Sequence, residues 1–340
     1  MDTVYVKQNE ISDEIMGKAA ATIRSGGLVA FPTETVYGLG ADGLNPAAVK
    51  RIYAAKGRPS DNPLILHISN LEMLKPIVQE ITPMAKALME KFWPGPLTMV
   101  FNKTELVPSE TSGGLNTVAV RFPNHPLALK LIEKSKTPIA APSANSSGRP
   151  SPTKAEHVLE DLDGKIDWIL DGGACKIGVE STVVAVTDEV PVILRPGKIT
   201  LEEIREVCGG GEYDRHLIAE KDEVVVPRAP GMKYKHYAPK GQIEILSGTT
   251  EQIQNYINAH DAAHTAVMTF TQFPVHHENL YSLGNIENPE EGCSELFDYL
   301  RTFDRLGIEH IFAVMPQKEG VGFALYNRLL KAAGGKVIVL

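Results

Sequence analysis

The sequence predicts a two-domain α/β protein: an N-terminal domain built on a mixed sheet and a smaller C-terminal domain of Rossmann-like order. Three observations predict it. The chain has 340 residues, more than one compact core usually holds. Short apolar runs rich in branched residues alternate with stretches of helical spacing along its length. Between the two halves, residues 212–240 carry Pro227, Pro230 and Pro239 without a clear period, which reads as a linker between domains 1–211 and 241–340.

In the first domain, strands are expected near Leu28–Phe31, Leu64–Ile68, Leu97–Phe101, Val118–Arg121, Ile139–Ala141, Val183–Val186 and Val192–Leu194. Helices are expected near Glu14–Ser25, Ala47–Ala55, Thr82–Phe92 and Leu127–Ser135, where good helix formers keep an apolar face. Asn45-Pro46 is a start signal for the second of these, so Lys56 and Arg58 close it. Two cations at a helix end gain roughly tenths of a kcal/mol from its negative pole. The run Gly27 to Gly40 starts as an apolar strand, breaks at Pro32 and enters hydroxyls, a carboxylate and two glycines. It is expected to end in a loop that a ligand can approach closely.

In the second domain the order is strand Ile243–Leu246, helix Glu251–Ala259, strand Ala266–Phe270, helix Ser294–Leu306, strand Ile311–Val314, helix Gly322–Ala333 and strand Val337–Val339. The stripe Leu296, Phe297, Leu300, Phe303, Leu306 has helical spacing and reads as core. No Gly-x-Gly-x-x-Gly follows a strand, so a dinucleotide is not expected there. Gly209-Gly210-Gly211 leads into Glu212-Tyr213-Asp214 and reads as a flexible boundary.

Composition narrows the function. Net charge is −8, which argues against a protein that coats nucleic acid by broad counterion release. Three cysteines, widely spaced and without a Cys-x-x-Cys pair, argue against a disulfide framework or a zinc knuckle. No apolar stretch approaches the roughly 18 to 20 residues of a membrane span, and Met1 to Lys7 lack the features of a signal peptide. A cytoplasmic protein is expected. His276-His277-Glu278 lies in an expected loop, and its adjacent side chains diverge, so it reads as loop polarity and not as a metal site.

Two polar clusters stand out, Lys56-Gly57-Arg58 and Ser143-Ala144-Asn145, each in a turn after an apolar or helical stretch. A lysine and an arginine one residue apart offer a point charge and a planar fork to one phosphate group. Serine and asparagine add hydrogen bonds without adding charge. Together they point to one polyanion pocket. It is not a P-loop, since no Gly-x-x-x-x-Gly-Lys-Ser/Thr exists. Lys50 and Arg51 extend the basic candidate set, which one triphosphate would account for.

Phe31-Pro-Thr-Glu-Thr-Val-Tyr-Gly-Leu39, Lys56-Gly-Arg-Pro59 and Ala141-Pro-Ser-Ala-Asn145 resemble the Sua5/YrdC family, the threonylcarbamoyl-AMP synthases. So do Phe92-Trp-Pro-Gly-Pro-Leu-Thr98, Val120-Arg-Phe-Pro123, Ser181-Thr-Val183 and Leu194-Arg-Pro-Gly197. The segments around Ala229–Pro239 and Gly322–Leu329 are similar to the added linker and domain of the long, Sua5-type members. The resemblance implies an open twisted sheet whose concave face holds ligands. It also implies a nucleotidyltransferase that condenses L-threonine, bicarbonate or CO2 and ATP into threonylcarbamoyl-adenylate and pyrophosphate. Mg²⁺ on the ATP phosphates is implied too. A separate tRNA threonylcarbamoyl transferase would use the product to modify tRNA adenosine 37, so this chain need not bind tRNA or a membrane.

Residue by residue, the resemblance implies that Arg58, Asn62, Thr117, Ser143, Asn145, Ser151 and Arg195 contact ATP and that Lys56 lends charge to phosphate or carbamate. Lys56 and Arg58 are the candidate catalytic pair. Thr35, His67, Arg121, Ala141 and Ser181 would hold threonine, with Arg121 suited to the carboxylate through two parallel hydrogen bonds. Tyr237, in the linker, would reach over the nucleotide as part of a lid. Two alternatives remain at this stage. A carbamoyl-adenylate enzyme of hydrogenase maturation or antibiotic carbamoylation uses a related domain but carries added zinc or transferase domains. An RNA-binding module would use the basic concave face.

Overall fold

The computed structural model describes residues 2–218 and 237–340 and divides into two compact units. One is built from the N-terminal region without Gly148–Ser151 and Ile177–Val179; these two short segments group with the C-terminal region in the other. Of the expected linker, residues 219–236 lie outside the described residues.

The larger unit runs β1 (Val4–Val6), α1 (Asp13–Arg24), β2 (Val29–Phe31), β3 (Gly38–Asp42), α2 (Pro46–Lys56), β4 (Ile65–His67), α3 (Pro83–Phe92), β5 (Leu97–Asn102) and α4 (Ser109–Ser112). It continues with β6 (Thr117–Arg121), α5 (Pro126–Ser135), β7 (Ile139–Ala140), α6 (Ala155–Leu162), β8 (Trp168–Leu170), β9 (Thr182–Ala185), β10 (Val192–Arg195), α7 (Leu201–Cys208), β11 (Glu212–Tyr213) and α8 (Arg215–Ile218). One eleven-stranded sheet results, in the order β1-β8-β2-β3-β7-β4-β6-β5-β9-β10-β11. It is mixed, with β4 and β6 parallel and β5 and β6 antiparallel.

Helix starts follow local chemistry. Asn45 accepts hydrogen bonds from the Ala47 and Ala48 amides, Ser12 from Ile15 and Thr82 from Ala85, each cap contributing about 1 kcal/mol. Gly57, at φ 62°, ends α2 in the left-handed conformation that glycine adopts without strain. The helices bury two large apolar clusters against the sheet. A third, smaller cluster of Ile65, Val100, Ala119, Val183, Ala185, Val192 and Leu194 lies on β4, β5, β6, β9 and β10.

The structure departs from expectation in several places. The expected loop spans residues 32–37, but from Gly38 the chain pairs again as β3, antiparallel to β2. Glycines hide this strand from its sequence pattern: a Cβ at Gly40 would come within 2.8 Å of both Ile139 Cγ2 and Phe31 Cε1, so the crowding excludes a side chain. The triglycine is not a loose boundary, because Gly209 caps α7 at φ 72° and the chain returns as β11 beside β10. β1 and β8, three residues each, are too short to show a period.

The smaller unit contains β12 (Gln242–Ser247), α9 (Thr250–His260), β13 (Thr265–Thr269), β14 (Leu280–Ser282), α10 (Glu290–Leu306), β15 (His310–Val314), α11 (Gly320–Ala332) and β16 (Val337–Val339). Its five strands are all parallel, in the order β14-β13-β15-β12-β16. Leu296, Phe297, Leu300 and Phe303 of α10 are buried as expected, whereas Leu306 is 56 % exposed. It is the last helical residue before the Gly307 cap, where the helix stops covering the sheet. No helix among the described residues is long and apolar enough to cross a membrane.

Candidate functional site

Lys56 joins the two polar turns. Its side chain is 4 % exposed, and its ammonium donates to the backbone carbonyls of Ser143 and Asn145 and, at 3.4 Å, to Asn145 Oδ1. The backbone repeats the connection, since the Ser147 amide donates to the Lys56 carbonyl at 2.8 Å. Ser143 Oγ in turn donates to Asn145 Oδ1 at 2.6 Å. The far side of the 141–145 turn is fixed by β3: Leu39 N–H donates to Pro142 O, and Ala144 N–H to Tyr37 O, both at 2.8 Å. Lys56 therefore shapes the turn that presents Ser143 and Asn145.

A second group is assembled by strand register. His67 pairs with Arg121, Arg121 with Thr98, Thr98 with Val183, and Val183 with Arg195. Register partners share a face, so one row across five strands carries His67, Arg121, Thr98 and Arg195. The apolar cluster of Ile65, Ala119 and Val100 sits two residues along the same strands. Ser181, just before β9, places Oγ 2.8 Å from Thr98 Oγ1. Arg195 grips it twice, Nη2 to Ser181 Oγ at 3.2 Å and Nε to its carbonyl at 3.1 Å.

Arg121 sits at the centre. Nη1 donates to Thr35 Oγ1 at 2.9 Å and Nε to Gly95 O at 3.4 Å, while Nη2 lies 2.7 Å from Glu34 Oε1. That last pair is a charge contact without hydrogen-bond alignment, and neither Glu34 oxygen nor Arg121 Nη2 has a hydrogen-bond partner among the described residues. Thr33 organises the loop, its Oγ1 donating to Val36 O and accepting from the Thr35 and Val36 amides. Ala141 is held by its amide, which donates to Ile65 O at 2.9 Å. Burial, then the Arg121 charge, lower the His67 pKa to about 3, so this ring is neutral at physiological pH. Its Nδ1 hydrogen-bonds the Ile65 carbonyl at 3.2 Å, and the ring meets Phe31 edge-on. Cys175 nearby is pushed up to about 12 by burial and remains a thiol.

Asn62 is buried, and its Nδ2 has no hydrogen-bond partner among the described residues; a buried amide donor of this kind fits a ligand acceptor. Arg58 is half-buried and donates to the Asn62 and Pro63 carbonyls at 3.4 and 3.2 Å. Thr117 opens β6 opposite Asn102. Lys50 and Arg51 do not join the basic group. Lys50 pairs with Glu110 and Arg51 with Asp167, both at 3.1 Å.

Ser151 and Tyr237 belong to the smaller unit. Ser151 is buried there beside Pro150, whose carbonyl accepts from Arg301 Nη2 at 2.7 Å. Tyr237 adopts φ 66°, stacks on Phe297 at 5.1 Å and faces the Arg328 guanidinium at 5.8 Å. Sequence reasoning missed Glu34 and Thr33 as site-shaping residues. Both lie inside the Phe31 to Leu39 motif, but nothing in its pattern says which hydroxyl or carboxylate meets Arg121.

Residues 21–197 match the family model of the Sua5, YciO and YrdC proteins, described as telomere recombination. Residues 199–334 match the threonylcarbamoyl-AMP synthase C-terminal domain. The threonylcarbamoyl-AMP synthase of Pyrococcus abyssi is 48% identical over 326 residues, 94% of each chain. That of Bacillus subtilis is 48% identical over 332 residues, 96% of this chain and 95% of the relative. The crystal structure of P. abyssi Sua5 complexed with L-threonine matches with a TM-score of 0.92 at 45% identity, covering 100% of both chains. Family models that together span most of its length, and relatives matching nearly all of it, place the chain in one family: it belongs to the Sua5/YrdC family.

Proposed function

We propose that this chain is a nucleotidyltransferase that condenses L-threonine, bicarbonate or CO2 and ATP into threonylcarbamoyl-AMP and pyrophosphate. The observation that carries the reading is the Lys56 bridge, which brings the cationic turn and the hydroxyl-amide turn to one place. Relatives named for this activity, and a neighbour crystallised with L-threonine, support it.

The ammonium first gives up a proton; the amine nitrogen then bonds to carbon, opening one C=O π bond of CO2 with loss of a second proton, or displacing an oxygen of bicarbonate that leaves as water, and a carbamate results. The carbamate oxygen then attacks the α-phosphorus, and the bond to the β-phosphate oxygen breaks. Most of the work is positioning and charge stabilisation. Arg121 takes the threonine carboxylate, with Thr35, the neutral His67, Ala141 and Ser181 around the amino acid. Arg58, Asn62, Thr117, Ser143, Asn145 and Arg195 serve the nucleotide, and Lys56 adds charge while holding the turn. Among the described residues no group of three or more His, Cys, Asp or Glu side chains is placed to hold a metal ion. Mg²⁺ would ride on the ATP phosphates, largely hydrated, because it binds oxygen ligands and keeps much of its water. The product would feed a separate tRNA threonylcarbamoyl transferase acting on adenosine 37 in the cytoplasm.

Incubating the chain with ATP, Mg²⁺, bicarbonate and each amino acid in turn, with mass spectrometry of the adenylate, tests this. Pyrophosphate release is expected to need threonine and bicarbonate together; release with neither overturns the reading. Serine lacks only the methyl group, and apolar contact is worth about 1 to 3 kcal/mol. Serine turnover roughly 10- to 200-fold below threonine is expected.

A further inference from the structure

The three orphaned atoms at Glu34 and Arg121 are two acceptors and one donor of opposite charge, held against each other in a buried place. Glu34 is 8 % exposed. Its Oε1 lies 2.7 Å from Arg121 Nη2, yet Oε1, Oε2 and Nη2 have no hydrogen-bond partner among the described residues. An ion pair kept for stability alone would satisfy its lone pairs and protons, because buried polar groups in folded proteins are nearly always hydrogen-bonded. Three neighbouring groups are already engaged. Thr33 Oγ1 fixes the loop, Thr35 Oγ1 takes Arg121 Nη1, and Gly95 O takes Nε. What is left over matches one chemical class: an ammonium supplies donors for Glu34, and a carboxylate on the adjacent carbon supplies acceptors for Nη2.

We propose that Glu34 receives the α-ammonium of the amino acid whose carboxylate Arg121 receives, so that the pair selects a zwitterion. The inference rests on the reading of this pocket as an amino-acid site. Charge supports it independently of shape. Glu34 and Arg121 sum to zero, as does an α-amino acid, so the occupied site buries no uncompensated charge. A hydroxy acid would set its own carboxylate and that of Glu34 against a single guanidinium, and an amine would set two cations against one carboxylate. Glu34 is thus a specificity residue that acts on the nitrogen destined for carbamoylation.

Calorimetry on the full chain tests the proposal, with L-threonine and its des-amino analogue 3-hydroxybutyrate as ligands. The wild-type chain is expected to prefer threonine on the order of a hundredfold, the loss of a hydrogen-bonded charge contact. Glu34→Gln, which keeps the shape and removes the charge, is expected to cut that preference to below about tenfold while ATP binding is unchanged; Glu34→Asp is expected to restore part of it. Equal binding of the two ligands by the wild-type chain overturns the proposal even if the variants do not fold. So does full preference in a folded Glu34→Gln. A wild-type chain that binds 3-hydroxybutyrate and threonine not at all, but still folds and binds ATP, overturns instead the reading of the pocket on which the proposal stands.

Discussion

Lys56 and Arg121 are equally buried, each 4 % exposed, and they are used in opposite ways. The lysine ammonium is directed at backbone carbonyls of a turn 87 and 89 residues further along the chain. The arginine fork is shared among a hydroxyl, a carbonyl and a carboxylate that it touches without a directed hydrogen bond. A compact, three-donor head is suited to pinning carbonyls from several directions, whereas a planar fork is suited to a carboxylate. Burial alone therefore does not mark a ligand contact; the partner of each donor does.

The comparison is broken most sharply at Arg121. Arg121→Ala leaves Glu34 buried without a counter-charge, and a loss of about 3 to 5 kcal/mol in unfolding free energy is expected, together with loss of threonine binding by calorimetry. Adding Glu34→Ala should recover much of the stability but not the binding. A single variant as stable as the wild type would show that the pair carries no electrostatic burden.

Lys56→Ala removes the bridge between the turns. Pyrophosphate release is expected to fall by about a hundred- to a thousandfold, or roughly 2.7 to 4 kcal/mol, and Arg58→Ala by a similar factor. Near wild-type turnover in both would remove this cationic turn from the chemistry.

His67, the register partner of Arg121, sharpens the comparison through pH. Its pKa falls from 6.5 to about 3 on folding, so below pH 6.5 the unfolded chain binds a proton that the folded chain refuses. Stability from this group is complete above 6.5 and is lost as pH falls toward 3, by about 1.4 kcal/mol per unit in that window. Urea midpoints at pH 7 and pH 5 should differ less in His67→Gln than in the wild type; an unchanged difference would locate the acid sensitivity elsewhere. The smallest effect is expected at Asn45→Ala, where losing the α2 cap costs about 1 kcal/mol in the helix whose last residue is Lys56, measurable as a shift in the thermal midpoint.

Much of the fold was legible because periodicity reports burial. The helices α1, α2, α3 and α5 and the strands β4 to β6 fall where apolar spacing puts them. β3 was not legible, since Gly40 is required by crowding from Phe31 and Ile139, a fact about neighbours elsewhere in the chain. The two polar turns could be read as one site, but the contact that joins them could not: as the last residue of a helix, Lys56 looks like any favourable terminal cation. Lys50 and Arg51 looked equally suitable, and only the placement of Glu110 and Asp167 removes them. Glu34 lies inside the Phe31 to Leu39 motif, with nothing local to say that its oxygens go unmatched.

The row from His67 to Arg195 ties chemistry to threading. Side chains along a strand alternate sides, so sliding β6 by one position would swing Arg121 to the opposite side of the sheet and put the apolar Val120 in its place. Such a misaligned chain would keep its ladder and much of its compactness while losing the cation proposed to meet the substrate carboxylate. Turnover thus doubles as a gauge of correct alignment, and selection for catalysis polices the sheet's assembly.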